Sequence, residues 1–215
     1  AAHAFGSTYK NKKIGGFGDI TCFSFDSLKN ITCGEGGVII CNEKEFYDIC
    51  RKKRNLGLNR KNQSSLSWKE RDWSYNVDTQ GFRYHMSNIN AAIGLAQLKK
   101  IDEFVSRRRE IAFKYDRAFQ SLEGINLLSI DYKTVAPHIY VVRVLNNQRN
   151  ALMQFLRDLD IETGISYIPN HLHSFYKEDN LSLPETEKTY KEILTLPLHC
   201  KLSDVDVDTI ISAVN

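Results

Sequence analysis

A lysine whose amine is kept out of water is the first chemical possibility in this sequence. Lys29 follows the β-branched and aromatic run Ile20-Thr21-Cys22-Phe23-Ser24-Phe25 and precedes Gly34-Glu35-Gly36-Gly37. An amine placed just past a buried strand and before a glycine-rich turn can be desolvated. Desolvation disfavours its charged form and frees it for Schiff-base chemistry with a carbonyl. Ser24 stands at the end of the same run, where a hydroxyl can donate to a phosphate oxygen. Each of these has a plainer reading. Most lysines are solvated surface groups, and a strand serine can simply bond backbone. Gly34, Gly36 and Gly37 can serve only to permit positive φ in a turn, with Glu35 solvated.

Positioning Lys29 falls to the elements on either side of it. Residues 20–25 read as a buried strand, 34–37 as a tight turn, and 38–41 as a second strand ending by Asn42. Residues 43–56 space Phe46, Tyr47, Ile49 and Cys50 as a surface helix that stops before Gly57. The polar stretch 59–79, around Trp68 and Trp73, has neither helical nor strand period and reads as a long loop with a function. Ser87 caps the clearest helix, with Ile89, Ala92, Ile93, Ala96, Leu98 and Ile101 as its apolar face. Apolar spacing runs on through Phe104, Val105, Ile111, Ala112, Tyr115 and Phe119 to Gly124, and a domain boundary is expected near Lys100. Beyond it the pattern predicts a strand over 139–145, a helix over 148–159 and a strand over 163–168. Two amphipathic helices follow over 185–194 and 204–214, the last capped by Ser203. The second part is therefore α+β, a small sheet with helices packed on it.

With 215 residues, 42% apolar and 26% charged, the chain can bury one large core or two modest ones. A net charge of +3 is too small to imply a nucleic-acid partner. The basic runs at 51–54 and 107–109 read as solvated helix faces. Cys22, Cys33, Cys41, Cys50 and Cys200 have neither zinc-site spacing nor an even disulfide framework, so no metal is expected and a reducing compartment fits. No apolar run has membrane-spanning length and no signal segment opens the chain, which makes the cytoplasm the default location. The start at Ala1, without methionine, reads as truncated or processed.

Three segments together resemble the DegT/StrS family of sugar aminotransferases. The run Gly18-Asp19-Ile20-Thr21-Cys22-Phe23-Ser24-Phe25, with Lys29-Asn30 and Gly34-Glu35-Gly36-Gly37, looks like that family's cofactor-lysine motif. Residues 81–98, from Gly81-Phe82-Arg83-Tyr84-His85-Met86-Ser87 onward, resemble its second signature, and Ile193-Leu194-Thr195-Leu196-Pro197-Leu198-His199 its C-terminal one. The resemblance covers nearly the whole chain, which matches the C-terminal part of longer proteins.

That resemblance alone implies a fold, a site and a reaction. The fold would be α/β, the fold type I of pyridoxal-phosphate-dependent transferases. Residues 1–100 would be the C-terminal part of the large cofactor domain, and 101–215 a small α+β C-terminal domain. Lys29 would be the catalytic lysine that holds pyridoxal 5'-phosphate, Ser24 would bond its phosphate, and His3 would lie beside its ring. Arg83 stands where many members have an asparagine reaching the phosphate of the neighbouring subunit's cofactor, and could serve the same anion. His85 stands where they usually have arginine. His171 falls in a segment similar to the family's histidine-containing loop near the sugar site and would bind substrate, while His138 and His199 read as structural. The family's aspartate for the pyridine nitrogen would fall just before Ala1. The implied reaction is ping-pong transfer of an amino group from an amino acid, glutamate, to a nucleotide-linked keto-deoxysugar, by a cytoplasmic homodimer serving polysaccharide or antibiotic biosynthesis. Two alternatives stand beside it. One is a sugar dehydratase, against which Lys29 argues because those relatives carry histidine there. The other is a non-catalytic regulatory or assembly module of the same fold.

Overall fold

The computed structural model describes residues 1–59, 75–178 and 181–215. Most of the loop expected over 59–79, with Trp68 and Trp73, lies outside the described residues. The chain divides into two compact units, one made of Ala1–Phe5 and Lys13–Lys99, the other of Gly6–Lys12 and Lys100–Asn215. Short strands β1 (Thr8–Tyr9) and β2 (Lys12–Lys13) precede the elements that carry the motifs.

In the first unit, β3 (Ile20–Ser24) and β4 (Gly37–Cys41) form an antiparallel hairpin in which Phe23 faces Val38 and Ser24 faces Gly37. Helix α1 (Lys44–Lys53) follows directly. Strands β5 (Leu58–Asn59) and β6 (Asn76–Val77) pair as a two-residue ladder at the ends of the polar stretch, which sequence periodicity read as loop throughout. Such a short pairing has no period of its own. Here Asp78 fixes it instead, accepting from Lys52 Nζ at 2.9 Å, Asn59 Nδ2 at 2.5 Å and Asn76 Nδ2 at 2.6 Å.

Helix α2 (Asn88–Leu98) starts at the expected cap, with Asn90 N–H donating to Ser87 Oγ at 3.1 Å. Its apolar residues are not a buried face, because Ile89, Ile93, Leu95 and Leu98 are all exposed in this chain. The strand over 20–25 is likewise less buried than its composition suggested. Phe23 is its one buried member, since among the described residues the β3–β4 hairpin has no third strand beside it.

The second unit holds the main core. Helix α3 (Ile101–Phe119) buries Val105, Arg108, Ile111, Ala112, Tyr115 and Phe119 at helical spacing. Strands β7 (Ile125–Leu127), β8 (Tyr140–Val144) and β9 (Ile193–Leu196) make an antiparallel sheet in the order β7-β8-β9. Tyr140, Val142 and Val144 alternate inward along β8, and Leu194 and Leu196 do so along β9. With Leu156 of α4 (Arg149–Asp158) and Val207, Ile210 and Val214 of α6 (Asp204–Val214), they close one cluster with α3. The cap expected at Ser203 is present and is completed as a capping box, the Ser203 hydroxyl receiving Asp206 N–H while Asp206 Oδ2 receives Ser203 N–H.

Three expectations for this unit need correction. Helix α5 (Pro184–Glu192) ends before Ile193, and Ile193 and Leu194 belong to β9, because pairing with β8 claims them. The strand expected over 163–168 is reduced to a single bridge between Gly164 and Thr195. The run 107–109 is not a solvated face. Arg108 is 8% exposed and donates to His138 O at 3.1 Å and Leu198 O at 2.9 Å, so two carbonyls hold its guanidinium inside.

Candidate active site

Lys29 sits in a loop whose neck is closed by backbone. Phe25 N–H donates to Gly36 O at 2.8 Å, and Phe25 O accepts Cys33 N–H at 3.0 Å and Thr32 Oγ1 at 3.2 Å. Within the loop, Asp26 makes the turn. Its carbonyl receives Lys29 N–H at 3.1 Å and its Oδ1 receives Leu28 N–H at 3.0 Å. That turn folds Lys29 back so that Nζ lies 3.8 Å from Asp26 Oδ1, with the lysine side chain only 16% exposed. The Leu28 N–H first, and the Lys29 ammonium after it, hold the Asp26 carboxyl below its ordinary value.

The segment carrying His3 is fixed against this loop. Asn30, buried next to the lysine, donates its Nδ2 to Phe5 O at 3.1 Å. The Phe5 ring meets Phe23 and Phe25 edge-on at centroid distances of 4.9 and 5.6 Å. His3 is thereby held within the field of Lys29. Desolvation, and then the Lys29 charge, lower the affinity of its imidazole for a proton below the ordinary histidine value. At neutral pH it is a neutral ring beside an amine.

Ser24, at the end of β3, accepts Asp26 N–H through Oγ at 3.4 Å, a loose bond that leaves its hydroxyl proton to be donated elsewhere. In the following turn Gly34 takes a positive φ of 84°, whereas Gly36 and Gly37 answer to packing. A Cβ on Gly37 would lie 2.7 Å from Phe23 O, and one on Gly36 would lie 2.6 Å from Cys33 Sγ and 2.7 Å from Met86 Cε. Asn90 of α2 secures the turn from outside, donating Nδ2 to Glu35 O at 2.9 Å.

The structure thus brings His3, Ser24 and Lys29 to one loop. Arg83 lies on a different part of the same unit, an exposed residue whose backbone bridges Asn55. Around it, Leu56 N–H bonds Phe82 O at 3.0 Å and Tyr84 N–H bonds Arg54 O at 2.9 Å, so the segment is strapped to the end of α1. His171 belongs to the second unit, on a 3₁₀ turn over Asn170–Leu172, with its side chain 6% exposed and Nε2 3.1 Å from Glu187 Oε1. Sequence reasoning passed over Asp26 and Asn30. A carboxylate three residues before a lysine in a turn was the available signal for the first. Nothing local announced the second, whose partner Phe5 is distant in sequence.

The family model of the DegT/DnrJ/EryC1/StrS aminotransferases matches residues 1–215. The chain belongs to this family. SpsC of Bacillus subtilis, a spore coat polysaccharide biosynthesis protein, is 36% identical over 228 residues, an alignment covering 100% of this chain and 57% of SpsC. Among solved structures, Spr1654 of Streptococcus pneumoniae in its PMP form superposes with a TM-score of 0.88 at 31% identity, over 99% of this chain and 56% of that one. PseC of Helicobacter pylori, an aminotransferase involved in the biosynthesis of pseudoaminic acid, gives 0.87 at 27% identity, over 100% and 57%. The DegT/DnrJ/EryC1/StrS chain described here therefore has the fold of these aminotransferases and spans little more than half the length of the relatives it matches.

Aminotransferases of the family depend on pyridoxal phosphate, and Spr1654 has also been solved in a PLP form. The donor set in the first unit fits that group. A shielded primary amine suits an aldehyde, a strand-end hydroxyl suits a phosphate, and a neutral imidazole suits the flank of an aromatic ring. Among the described residues no cluster of histidine, cysteine or carboxylate side chains could hold a metal ion, and no helix is long and apolar enough to cross a membrane.

Proposed function

We propose that this chain carries the lysine half of a pyridoxal-phosphate-dependent aminotransferase that passes an amino group from glutamate to a nucleotide-linked keto-deoxysugar. The observation that carries the reading is the shielded amine of Lys29, folded back beside Asp26 in a family-matched loop with Ser24 and His3 around it. The family match and the carbohydrate routes of SpsC and PseC support the choice of substrate class. In this reading residues 1–100 finish the cofactor domain, 101–215 form the small domain, and the enzyme works as a cytoplasmic homodimer.

When bound, pyridoxal phosphate supplies the electron sink for transamination. The chain supplies position and proton movement. Lys29 would hold the cofactor through Nζ, and its free amine would accept and return a proton during the transfer. Asp26 keeps that amine within reach through the turn it organises. Ser24 would donate its hydroxyl to the cofactor phosphate, and His3, whose proton affinity is lowered by desolvation and by Lys29, would flank the cofactor ring. Arg83 offers a bidentate cation for a phosphate, the partner subunit's in a homodimer. His171, its buried ring beside Glu187, is assigned to the sugar substrate.

The test is direct. Full-length protein titrated with pyridoxal phosphate is expected to develop the visible absorbance of the lysine-bound cofactor, and borohydride reduction should leave the label on the Lys29 peptide. Label on another lysine, or the same absorbance in Lys29→Ala, sinks the assignment.

A further inference from the structure

The turn that carries Lys29 does not by itself call for a charge. Asp26 builds it with Oδ1, which receives Leu28 N–H at 3.0 Å, and with its carbonyl, which receives Lys29 N–H at 3.1 Å. Its own N–H reaches Ser24 Oγ at 3.4 Å. An asparagine makes the same side-chain turn two residues on, and a serine hydroxyl does so more weakly. What neither supplies is a negative charge, and here that charge stands 3.8 Å from Lys29 Nζ.

Little extra order is needed to form this pair. An exposed ion pair contributes little, largely because two long side chains must be fixed for it and water screens it. Here the carboxylate is short and already held by a main-chain N–H, so only the lysine side chain is left to be fixed. That side chain is 16% exposed, against 35% for Asp26, so the lysine end is well shielded. Two effects oppose each other at Nζ. Shielding from water favours the neutral amine, and the carboxylate beside it favours the ammonium. Facing Lys29 are Asp26, from the same turn, and His3, from the segment fixed to the loop through Asn30 and Phe5. His3 holds a proton less tightly than an ordinary histidine, by desolvation first and the Lys29 charge second, so at neutral pH it sets no second cation against the ammonium.

We propose that Asp26 is a positioning residue, the resting counter-ion of Lys29. Whenever Nζ is not bonded to the cofactor, the carboxylate holds it in one place as an ammonium, and so sets the lowest pH at which this lysine reacts with a carbonyl. To react, the ammonium releases its proton to solvent, Nζ adds to the aldehyde carbon, and the aldehyde oxygen leaves as water. Without the carboxylate the first of these steps runs at lower pH. The place of the pair in a reaction rests on the reading of Lys29 as the cofactor lysine, whereas the pairing itself rests on the turn.

Trace acetylation of the full-length, cofactor-free protein with acetic anhydride tests the pairing without any turnover. Labelling is followed between about pH 6 and 11 by mass at the Lys29 peptide, with exposed Lys99 as the internal standard. In Asp26→Asn, whose side-chain oxygen still accepts Leu28 N–H, the Lys29 profile is expected to move to lower pH by about one pH unit, roughly a tenfold gain in labelling on its rising limb. The low end of the usual range applies because Asp26 is partly exposed. The Lys99 profile should stay where it is. Asp26→Ser, a second turn-former without charge, should move Lys29 the same way, and either variant suffices if the other does not fold. Profiles that coincide with wild type, or move to higher pH, reduce Asp26 to a turn residue and overturn the proposal. With pyridoxal phosphate added, the lysine-bound absorbance should set in about one pH unit lower in Asp26→Asn than in wild type, and an unmoved onset overturns the claim that Asp26 sets the pH of reaction. If wild-type protein forms no such absorbance at any pH, the reading of Lys29 as the cofactor lysine falls, and acetylation alone still judges the pairing.

Discussion

The two units of the chain spend their apolar residues differently. In the second, α3, β8, β9, α4 and α6 converge on one cluster in which Ile111, Ala112, Phe119, Val142, Leu156, Leu194 and Val207 have no measurable exposure. In the first, the buried apolar side chains among the described residues are Phe23, Ile31 and Cys33, while Ile20, Ile39, Phe46, Tyr47, Ile89 and Leu95 stand exposed. The unit bearing Lys29 is held by backbone closures, turn carboxylates and glycine approaches, and the other by packed hydrocarbon. A site built the first way is geometrically defined yet thinly buffered, because burial of apolar area is the larger source of stability.

That contrast can be broken from either side. The largest functional effect is expected from Lys29→Ala, which should abolish the lysine-bound cofactor absorbance and cost on the order of 10²–10⁴-fold or more in amine transfer. The melting transition of the second unit should not move, as differential scanning calorimetry can check. The largest stability effect is expected from Leu194→Ala, about 2–5 kcal/mol by urea denaturation, since the side chain is fully buried between sheet and helices. A smaller change in the first unit should be functionally louder. In Gly37→Ala the added methyl would meet Phe23 O at 2.7 Å, so the hairpin must splay at the neck of the Lys29 loop. The expected loss is about 1–3 kcal/mol, the usual cost of overpacking, read as weakened cofactor retention on dialysis.

Ser203→Ala should cost about 1 kcal/mol through loss of the α6 capping box, visible in urea unfolding and not in cofactor absorbance. Asp116 gives the smallest effect and a pH signature. Burial raises its carboxyl above the ordinary 3.8, against a lowering by the Tyr140 hydroxyl that donates to it at 2.8 Å. A carboxyl that binds its proton more tightly folded than unfolded contributes stability below the unfolded value and loses it as pH rises through the folded one. Asp116→Asn keeps the acceptor for Tyr140 and drops the charge. It should therefore be stabler than wild type at pH 7 by less than about 1 kcal/mol, with the difference shrinking as pH falls toward 4.

Elements with a strong local signal were legible in the sequence. Ser87 and Ser203 mark helix starts because capping is settled within one turn, and the β3–β4 hairpin follows from β-branched runs around a glycine turn. Features decided by distant partners were not. Ile193 and Leu194 extend the helical pattern of α5, and only β8 makes them strand. Arg108 looks solvated in a basic run, and only the carbonyls of His138 and Leu198 draw it inside. The site divides the same way. Lys29 and Ser24 stand out from their motif, whereas Asp26 becomes visible only once the turn has folded the lysine back toward it.

The approach of Gly57 to Gly81 fixes the main chain just before Arg83. A Cβ on Gly57 would stand 1.8 Å from Thr79 O, and one on Gly81 would stand 2.0 Å from Gly57 N. Two stretches of main chain are thus riveted together with no side chain between them. Substitutions around Arg83 can change what it offers to an anion, but they leave the anchorage of its peptide in place, so this corner can diversify in charge while keeping its address.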